Sequence, residues 1–441
     1  MPAAIEVEAY STLLERLTSA RAQTDLQFGL VKQAYLYERP IAERHRIIFY
    51  LGHLEAFDWN LLQPRIPGIQ PFDASLDRLF AFGIDPVGGA LPSDEPGDWP
   101  CESNVSNYNR RVRSTLDQAL AQTGPREWRG DEDVDVLLNV AIEHRLMHAE
   151  TLAYMLHQLP LGSTFSVEQL PSPARLPVGR DALPIPSGQA TLGLARSRAG
   201  TFGWDNEFKR HVVEVPEFTI DRCKITNGQF LEFVQAGGYS SRELWPDSAW
   251  RWKQERGIEH PSFWSCAAGQ WSYRAMFERI PLPLDWPVYV SHAEASAYAA
   301  WVGKRLPTEA EWHRAAYGKA TGGEHAYPWG GQAPGPDRGY LDMRRWDPVP
   351  VSASPEARSS FGMEGMLCNG WEWTSSLFEP FPDFQAFQCY PGYSANFFDG
   401  QHYVLKGGSP RTEQCMLRRS FRNWFQPHYQ YVYAGFRCAG A

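Results

Sequence analysis

The first limits on this chain come from what it lacks. Its 441 residues include seven cysteines, an odd number, and no two of them stand as Cys-x2-Cys. That is not a disulfide framework, and it suits a reducing compartment such as the cytoplasm. No run of about 18 apolar residues is present, so no membrane-spanning helix is expected. The opening Met-Pro-Ala-Ala-Ile-Glu-Val-Glu has neither a basic nor an apolar region of the signal-peptide kind, and no signal peptide is expected. Positive charge is in deficit: 42 Lys and Arg against 51 Asp and Glu give a net charge of -9. A general nucleic-acid binder needs a basic patch, so that class is excluded.

Aromatic residues, by contrast, are abundant: 17 Trp, 19 Tyr and 24 Phe, concentrated beyond the first third of the chain. They bury large areas and can also line cation-binding pockets. The length suits about two or three domains. Residues 1–160 carry apolar residues at helical spacing, with helices expected near 7–35, 41–62, 103–123 and 131–158. Pro/Gly-rich connections at 63–72 and 83–100 separate them, as in a four-helix bundle. Residues 161–188 hold five prolines (171, 173, 177, 184 and 186) and read as a linker. From 189 to 441 the helical period fades. Short strands are expected at Thr191–Leu194, His211–Val215 and Phe218–Asp221, and short helices at Asn227–Gln235 and His292–Val302. Thr308 with Glu311 forms a capping box for a further helix. The fold class expected is α+β, with function carried on loops in the second domain.

Three histidines carry the chemistry of the first domain. His144 and His148 stand at i and i+4, which places both imidazoles on one helix face. His53 lies on another expected helix and could complete a facial three-nitrogen site. Imidazole suits Fe, Zn, Cu and Ni, and such a site keeps positions open. Glu150 stands where it could orient an imidazole. An His-x3-His pair alone is also a common surface or core-edge feature.

More specific motifs lie downstream. Gly303-Lys304-Arg305-Leu306-Pro307-Thr308-Glu309-Ala310-Glu311-Trp312, Tyr327-Pro328-Trp329-Gly330, Asn369-Gly370-Trp371-Glu372-Trp373-Thr374, Leu405-Lys406-Gly407-Gly408-Ser409 and Ala434-Gly435-Phe436-Arg437 resemble the formylglycine-generating-enzyme-like (sulfatase-modifying factor) domain. The resemblance covers about 190–440 and implies a C-type-lectin-like core. The helices with Gly52-His53 and His144-x3-His148-x-Glu150 look like the DinB-type bundle fused to that domain in ergothioneine and ovothiol synthases. Tyr393-Ser394, Phe397-Phe398-Asp399-Gly400, His402 and Phe421-Arg422-Asn423-Trp424 look like the C-terminal signature of the ergothioneine-type members.

The resemblance implies a mononuclear iron(II) enzyme that uses dioxygen to join sulfur or selenium to C2 of the imidazole of hercynine. Its ligands carry over onto His53, His144 and His148. Asn423 and Trp424 carry over as lining of a substrate cleft, with Phe425 and Tyr429 beside them. A quaternary ammonium suits an aromatic wall, and Trp424, Phe425, Tyr429 and Tyr431 offer one. The family's catalytic tyrosine precedes Phe-Phe-Asp-Gly, which makes Tyr390 the candidate proton donor here, although the register of that loop is ambiguous.

Departures from the family bear on the donor. Members that use γ-glutamylcysteine carry an acidic residue after Arg-Asn-Trp and a basic residue four further on; here these are Phe425 and Tyr429. Those members also carry Ser-Arg-Pro before the third helix, where this chain has Trp99-Pro100-Cys101-Glu102-Ser103. Each missing charged anchor is worth roughly 1–3 kcal/mol when desolvated. Met147 replaces the family's usual Gln, and Ser409-Pro410-Arg411-Thr412 its Ser-Trp-Ala-Thr. This pattern looks most like the selenoneine synthases, which take selenium from a selenosugar. The alternative is a sulfoxide synthase using γ-glutamylcysteine or cysteine, with the anchors relocated to Arg411, Arg418 or Arg419. A copper-type formylglycine oxidase would need cysteines where Thr412 and Leu417 stand. A non-catalytic binding module has no need of three imidazoles, and a zinc hydrolase could use the same three. The partners expected are small molecules (hercynine with a selenosugar or a thiol), with no nucleic acid and no membrane.

Overall fold

The computed structural model describes residues 3–81, 91–168, 179–196, 201–335, 338–339 and 343–440, with side chains in the first helix from residue 9. The chain divides into two compact units, Met1–Val167 and Glu168–Ala441. The division falls inside the proline-rich stretch read as a linker, of which residues 169–178 lie outside the described set.

The first unit is helical. It comprises α1 (Ala3–Leu30), α2 (Ile47–Leu62), the short α3 (Ala74–Leu79), α4 (Glu102–Gln122) and α5 (Val134–His157). Helix α1 packs along α5, and α2 packs against both α4 and α5. Helix α4 shows why: Val105, Tyr108, Val112, Leu116 and Leu120 recur every three or four residues and are all buried, while the opposite face carries Arg110, Arg111 and Gln118. Helices α2 and α5 are enclosed on nearly all sides. Burying polar residues on them is costly unless those residues are paired, and these two helices carry the histidines. No described helix is long and apolar enough to cross a membrane.

The second unit mixes short strands, short helices and long loops. Strands β1 (Ala182–Ile185), β2 (Gly188–Leu192), β3 (His211–Val215) and β4 (Phe218–Asp221) precede α6 (Asn227–Gln235) and α7 (Asp247–Arg256). Then come β5 (Trp264–Ala267), β6 (Gln270–Arg274), β7 (Arg279–Pro281), α8 (His292–Trp301) and α9 (Glu309–Tyr317). The last strands are β8 (Trp371–Leu377), β9 (Tyr403–Lys406), β10 (Asn423–Phe425), β11 (Ala434–Gly435) and β12 (Ala439–Gly440). The central sheet has the order β10-β9-β8-β11, and β1-β4-β12, β2-β3 and β5-β6-β7 form smaller ones. Strand β1 begins within the stretch read as linker because it pairs antiparallel with β4. Thr308 caps α9 and closes the capping box with Glu311.

The core of this unit gathers Ile185, Phe218, Ile220, Trp312, Tyr317, Met363, Met366 and Leu417. Buried ions cross it. Glu372 receives Arg437 at 2.7 Å and Lys224 at 3.0 Å, and its other bond comes from the Trp312 indole at 3.0 Å. Three donors on one buried carboxylate offset the loss of its hydration. All seven cysteines are free thiols.

Candidate metal centre and aromatic site

In the first unit, α2 supplies His53 and α5 supplies His144 and His148. All three are nearly inaccessible, at 4%, 2% and 3% exposure. Their ligand atoms lie within 4.8 Å of one another. The Nε2 atoms of His144 and His148 approach to 3.1 Å. Each ring has a fixed orientation. Phe57 stacks on His144 at 3.4 Å between centroids, Phe49 stacks on His53 at 4.8 Å, and Tyr50 lies 5.7 Å from His148.

The tautomer of His53 follows from one bond. Its Nδ1 lies 2.7 Å from the carbonyl oxygen of Phe80, just past the end of α3. A carbonyl only accepts, so Nδ1 carries the proton and Nε2 keeps a lone pair. That Nε2 is buried and has no hydrogen-bond partner. Gly52 makes the arrangement possible, since a Cβ there would come within 2.5 Å of the Phe80 ring. Without a side chain at position 52, Phe80 lies flat on α2 and its carbonyl reaches His53.

Electrostatics keep the three rings neutral. Burial, opposed by the Phe80 hydrogen bond, brings His53 down to about 4. Burial and the neighbouring imidazoles push His144 and His148 well below the usual range. Neutral imidazole is the form that ligates metals. An orphaned buried nitrogen and three convergent lone-pair donors on two rigid helices therefore fit a divalent transition metal with three nitrogen ligands.

A buried ion network backs the triad. Arg145, adjacent to His144, donates to Glu55 at 2.9 Å, to Asp58 at 2.7 Å and to the Leu54 carbonyl at 2.9 Å. Arg113 of α4 reaches Glu55 at 2.7 Å, and Arg21 of α1 lies 3.7 Å from Asp58. The network ties α1, α2, α4 and α5 together, and so fixes the register in which His53 faces the other two. Glu55 and Asp58 follow His53 by two and five residues. Sequence reasoning missed the network and the Phe80 contact. A backbone carbonyl leaves no trace in a sequence, but charged residues inside apolar helices were a usable signal.

In the second unit, Trp424 on β10 lies face to face with Phe378 at 4.1 Å and 7°. Tyr393 meets its edge at 5.3 Å, and Phe397 lies 5.6 Å away. Arg422 sits 4.9 Å from the Phe378 ring and is held by Glu309 at 3.1 Å. Asn423 accepts the Trp424 N–H at 2.9 Å through its side-chain oxygen. Tyr390 lies 5.6 Å from Tyr393. Phe425 stacks on Tyr429 at 5.0 Å and 5°, and Tyr431 meets Tyr429 edge-on at 5.3 Å. Alternation along β10 sends Trp424 to the face opposite Phe425. The expected single aromatic wall is thus two groups: Trp424 with the Tyr390–Tyr393 loop, and Phe425 with Tyr429 and Tyr431.

The arginines considered as relocated anchors are each engaged within the unit. Arg418 donates to Glu207 at 2.9 Å and Arg419 to Glu324 at 2.9 Å. Arg411 is buried over Trp346 at 4.1 Å and donates to the Met343 carbonyl. Thr412 and Leu417, where a copper oxidase needs thiols, are fully buried.

Comparison with known proteins accords with both units. A family model, the Sulfatase-modifying factor enzyme 1-like domain, matches residues 167–441 and defines the class of the second unit. Over the longer span, the chain is 36% identical to the hercynine oxygenase of Mycolicibacterium smegmatis, covering 98% of this chain and 99% of that protein. It is 42% identical to the hercynine oxygenase of Mycobacterium tuberculosis over 53% of this chain and 55% of that protein, so this match spans about half the length of the relative. It is 27% identical to Ergothioneine biosynthesis protein 1 of Neurospora crassa over 92% of this chain and 55% of that protein. The chain belongs to the hercynine oxygenase family of ergothioneine biosynthesis enzymes, and carries that family's sulfatase-modifying factor domain.

Proposed function

We propose that this chain is an oxygen-dependent, non-heme iron enzyme that joins a thiol to C2 of the hercynine imidazole, with release of a sulfoxide. The observation that carries the reading is the buried, neutral His53–His144–His148 triad in a chain aligned end to end with a hercynine oxygenase. The triad would hold iron(II), which supplies the redox chemistry needed to use dioxygen. The protein's own groups do the rest. Phe80, Phe49 and Phe57 fix the imidazole orientations, and burial excludes water from them. Trp424 with Phe378 and Tyr393 offers an aromatic surface to the trimethylammonium group. Tyr390 supplies a hydroxyl for proton transfer. The helical unit is read as a DinB-type bundle.

A second reading, transfer of selenium from a selenosugar, rests on one observation. Phe425 and Tyr429 form an uncharged stack where a zwitterionic donor needs charges, and Arg411, Arg418 and Arg419 are engaged elsewhere. A dipeptide in an uncharged pocket loses its hydration without replacement. The relatives favour the sulfur reading. The deciding experiment is a competition between γ-glutamylcysteine, cysteine, a thiosugar and a selenosugar. Hercynine and iron(II) are supplied, oxygen starts the reaction and mass spectrometry reads the products. A carbon–sulfur product supports the leading reading. Consumption of the selenosugar alone replaces it with the second. Absence of any hercynine-dependent oxygen uptake overturns both.

A further inference from the structure

The loop Phe387–Ser394 carries Tyr390 and Tyr393. It is a succession of turns: Tyr390 N–H donates to the Phe387 carbonyl at 3.3 Å, and Tyr393 N–H to the Tyr390 carbonyl at 3.2 Å. Turns of this kind with Pro391 and Gly392 inside them have little to hold their shape on their own. Both ends of the loop nevertheless meet one carboxylate. Asp205, fully buried, accepts the Ser394 hydroxyl through Oδ1 and the Phe387 N–H through Oδ2 at 3.4 Å. The same hydroxyl accepts from Asn206 Nδ2 at 3.0 Å, so the Ser394 oxygen both donates and accepts. Trp204, the residue before Asp205, stacks on Tyr393 at 3.9 Å and 25°. A segment about 190 residues upstream thus grips the loop at its start, its end and one of its two tyrosines.

We propose that Asp205, with Asn206 and Ser394, is a clasp that sets the position of the tyrosine loop, and that turnover depends on it through Tyr390. Asp205 is a positioning residue that acts through the loop. The inference rests on the reading that Tyr390 moves a proton. The clasp itself stands on geometry alone: three hydrogen bonds join the adjacent, buried Asp205 and Asn206 to Ser394 and the Phe387 N–H, closing one loop. Burial raises the Asp205 pKa and the Ser394 bond opposes this. A carboxylate retained there despite its desolvation requires its donors.

The test compares the iron-loaded full-length protein with its Ser394→Ala, Ser394→Thr and Asp205→Asn variants. Amide hydrogen exchange over 387–394 is read first, because it does not depend on activity. The clasp predicts that Ser394→Ala raises exchange there by about tenfold or more, with exchange in β8 and β9 unchanged. The second readout is kinetic: at saturating hercynine kcat falls by about tenfold or more, over and above any rise in the hercynine constant from a displaced Tyr393, and Ser394→Thr restores both readouts. Unchanged exchange in Ser394→Ala overturns the clasp whatever the enzyme does. Raised exchange with wild-type kcat overturns the dependence of turnover on the loop. If the wild type itself turns over no hercynine, the proposed function fails and the exchange result still decides the clasp. Should Asp205→Asn not fold, Ser394→Ala and Ser394→Thr carry the test without it.

Discussion

The two units hold their chemistry in opposite ways. In the first, three histidines stand on two long helices, and rigid periodic elements set their spacing. In the second, the candidate residues sit on a three-residue strand and on loops, and contacts far apart in sequence set their positions. Two buried acids, one from each unit, end at opposite values. Burial raises Glu55 in the first unit, but Arg145 and Arg113 outweigh it and hold the carboxyl at about 2. In the second unit, burial pushes Asp347 up to about 6, opposed only by the Met276 N–H and Arg274, while Glu278 adds to the rise. A helical scaffold can gather several arginines around one acid by register. The second unit gathers donors the same way in its core, where Arg437, Lys224 and Trp312 meet on Glu372, but at Asp347, on a loop, only the Met276 N–H and Arg274 oppose burial.

The largest expected effect tests the helical site. His144→Ala or His148→Ala removes one of three ligands, and iron binding should weaken by at least about a hundredfold, since merely disturbing a ligand's orientation costs about 10–100-fold. Metal analysis after dialysis reads the outcome. Stoichiometric iron retained in both variants would falsify the triad.

The next effect falls on the network behind that site. Arg145→Met leaves Glu55 and Asp58 buried with only Arg113 and Arg21 to face them. Removing one partner of a buried pair costs about 3–5 kcal/mol. Chemical denaturation followed on the helical signal should show the first unit losing that much. A loss near zero would mean that helix packing alone sets the register, and that the arginine is incidental to it.

On the loop-built side, the expected effect is smaller because several aromatics share the load. Trp424→Ala removes one ring from the group with Phe378, Tyr393 and Phe397. A desolvated cation–π contact is worth about 2 kcal/mol, so the hercynine constant should rise by about tenfold or more. Histidine, without the methyl groups, should respond less. Equal responses would remove the aromatic surface from the account of specificity.

The same contrast decides what the sequence could reveal. Helix α4 was legible because its burial recurs with the helical period, and α2 and α5 as long apolar stretches buried on nearly every side. The short α3 was not read, while His144 and His148 were legible as a pair by spacing. The orientation of His53 was not, since it depends on a backbone carbonyl from α3. The strand at 211–215 and the helix at 227–235 were readable from local pattern and capping. The partition of the aromatics was harder. Trp424, Phe425 and Tyr429 lie within six positions in the chain, and proximity suggested one wall. Strand alternation gives Trp424 to the loop at 390–397 and Phe425 to Tyr429, and only the pairing of β10 with β9 reveals which face is which. The clasp at Asp205 spans 189 positions, and no local pattern announces it.

The smallest expected effect separates these two acids, Asp347 and Glu55, directly. Asp347 has an ordinary value of 3.8 and is raised to about 6 by burial. A group whose folded value lies above its unfolded value favours folding while it is protonated. Its contribution is complete below its ordinary value and is lost as the pH rises through about 6. Between pH 5 and pH 7 the second unit should therefore lose about 1 kcal/mol of stability on account of this group. Asp347→Asn keeps an acceptor for the Met276 N–H at 3.0 Å and cannot ionise, so it should abolish that slope. Glu55 works in the other direction: lowered to about 2, it contributes above its ordinary range and loses its contribution only as the pH falls toward 2. Denaturation curves of wild type and Asp347→Asn at the two pH values read the difference. An unchanged slope in the variant would mean that Arg274 compensates Asp347 as fully as the arginines compensate Glu55, and the two acids would then differ only in the geometry of their partners.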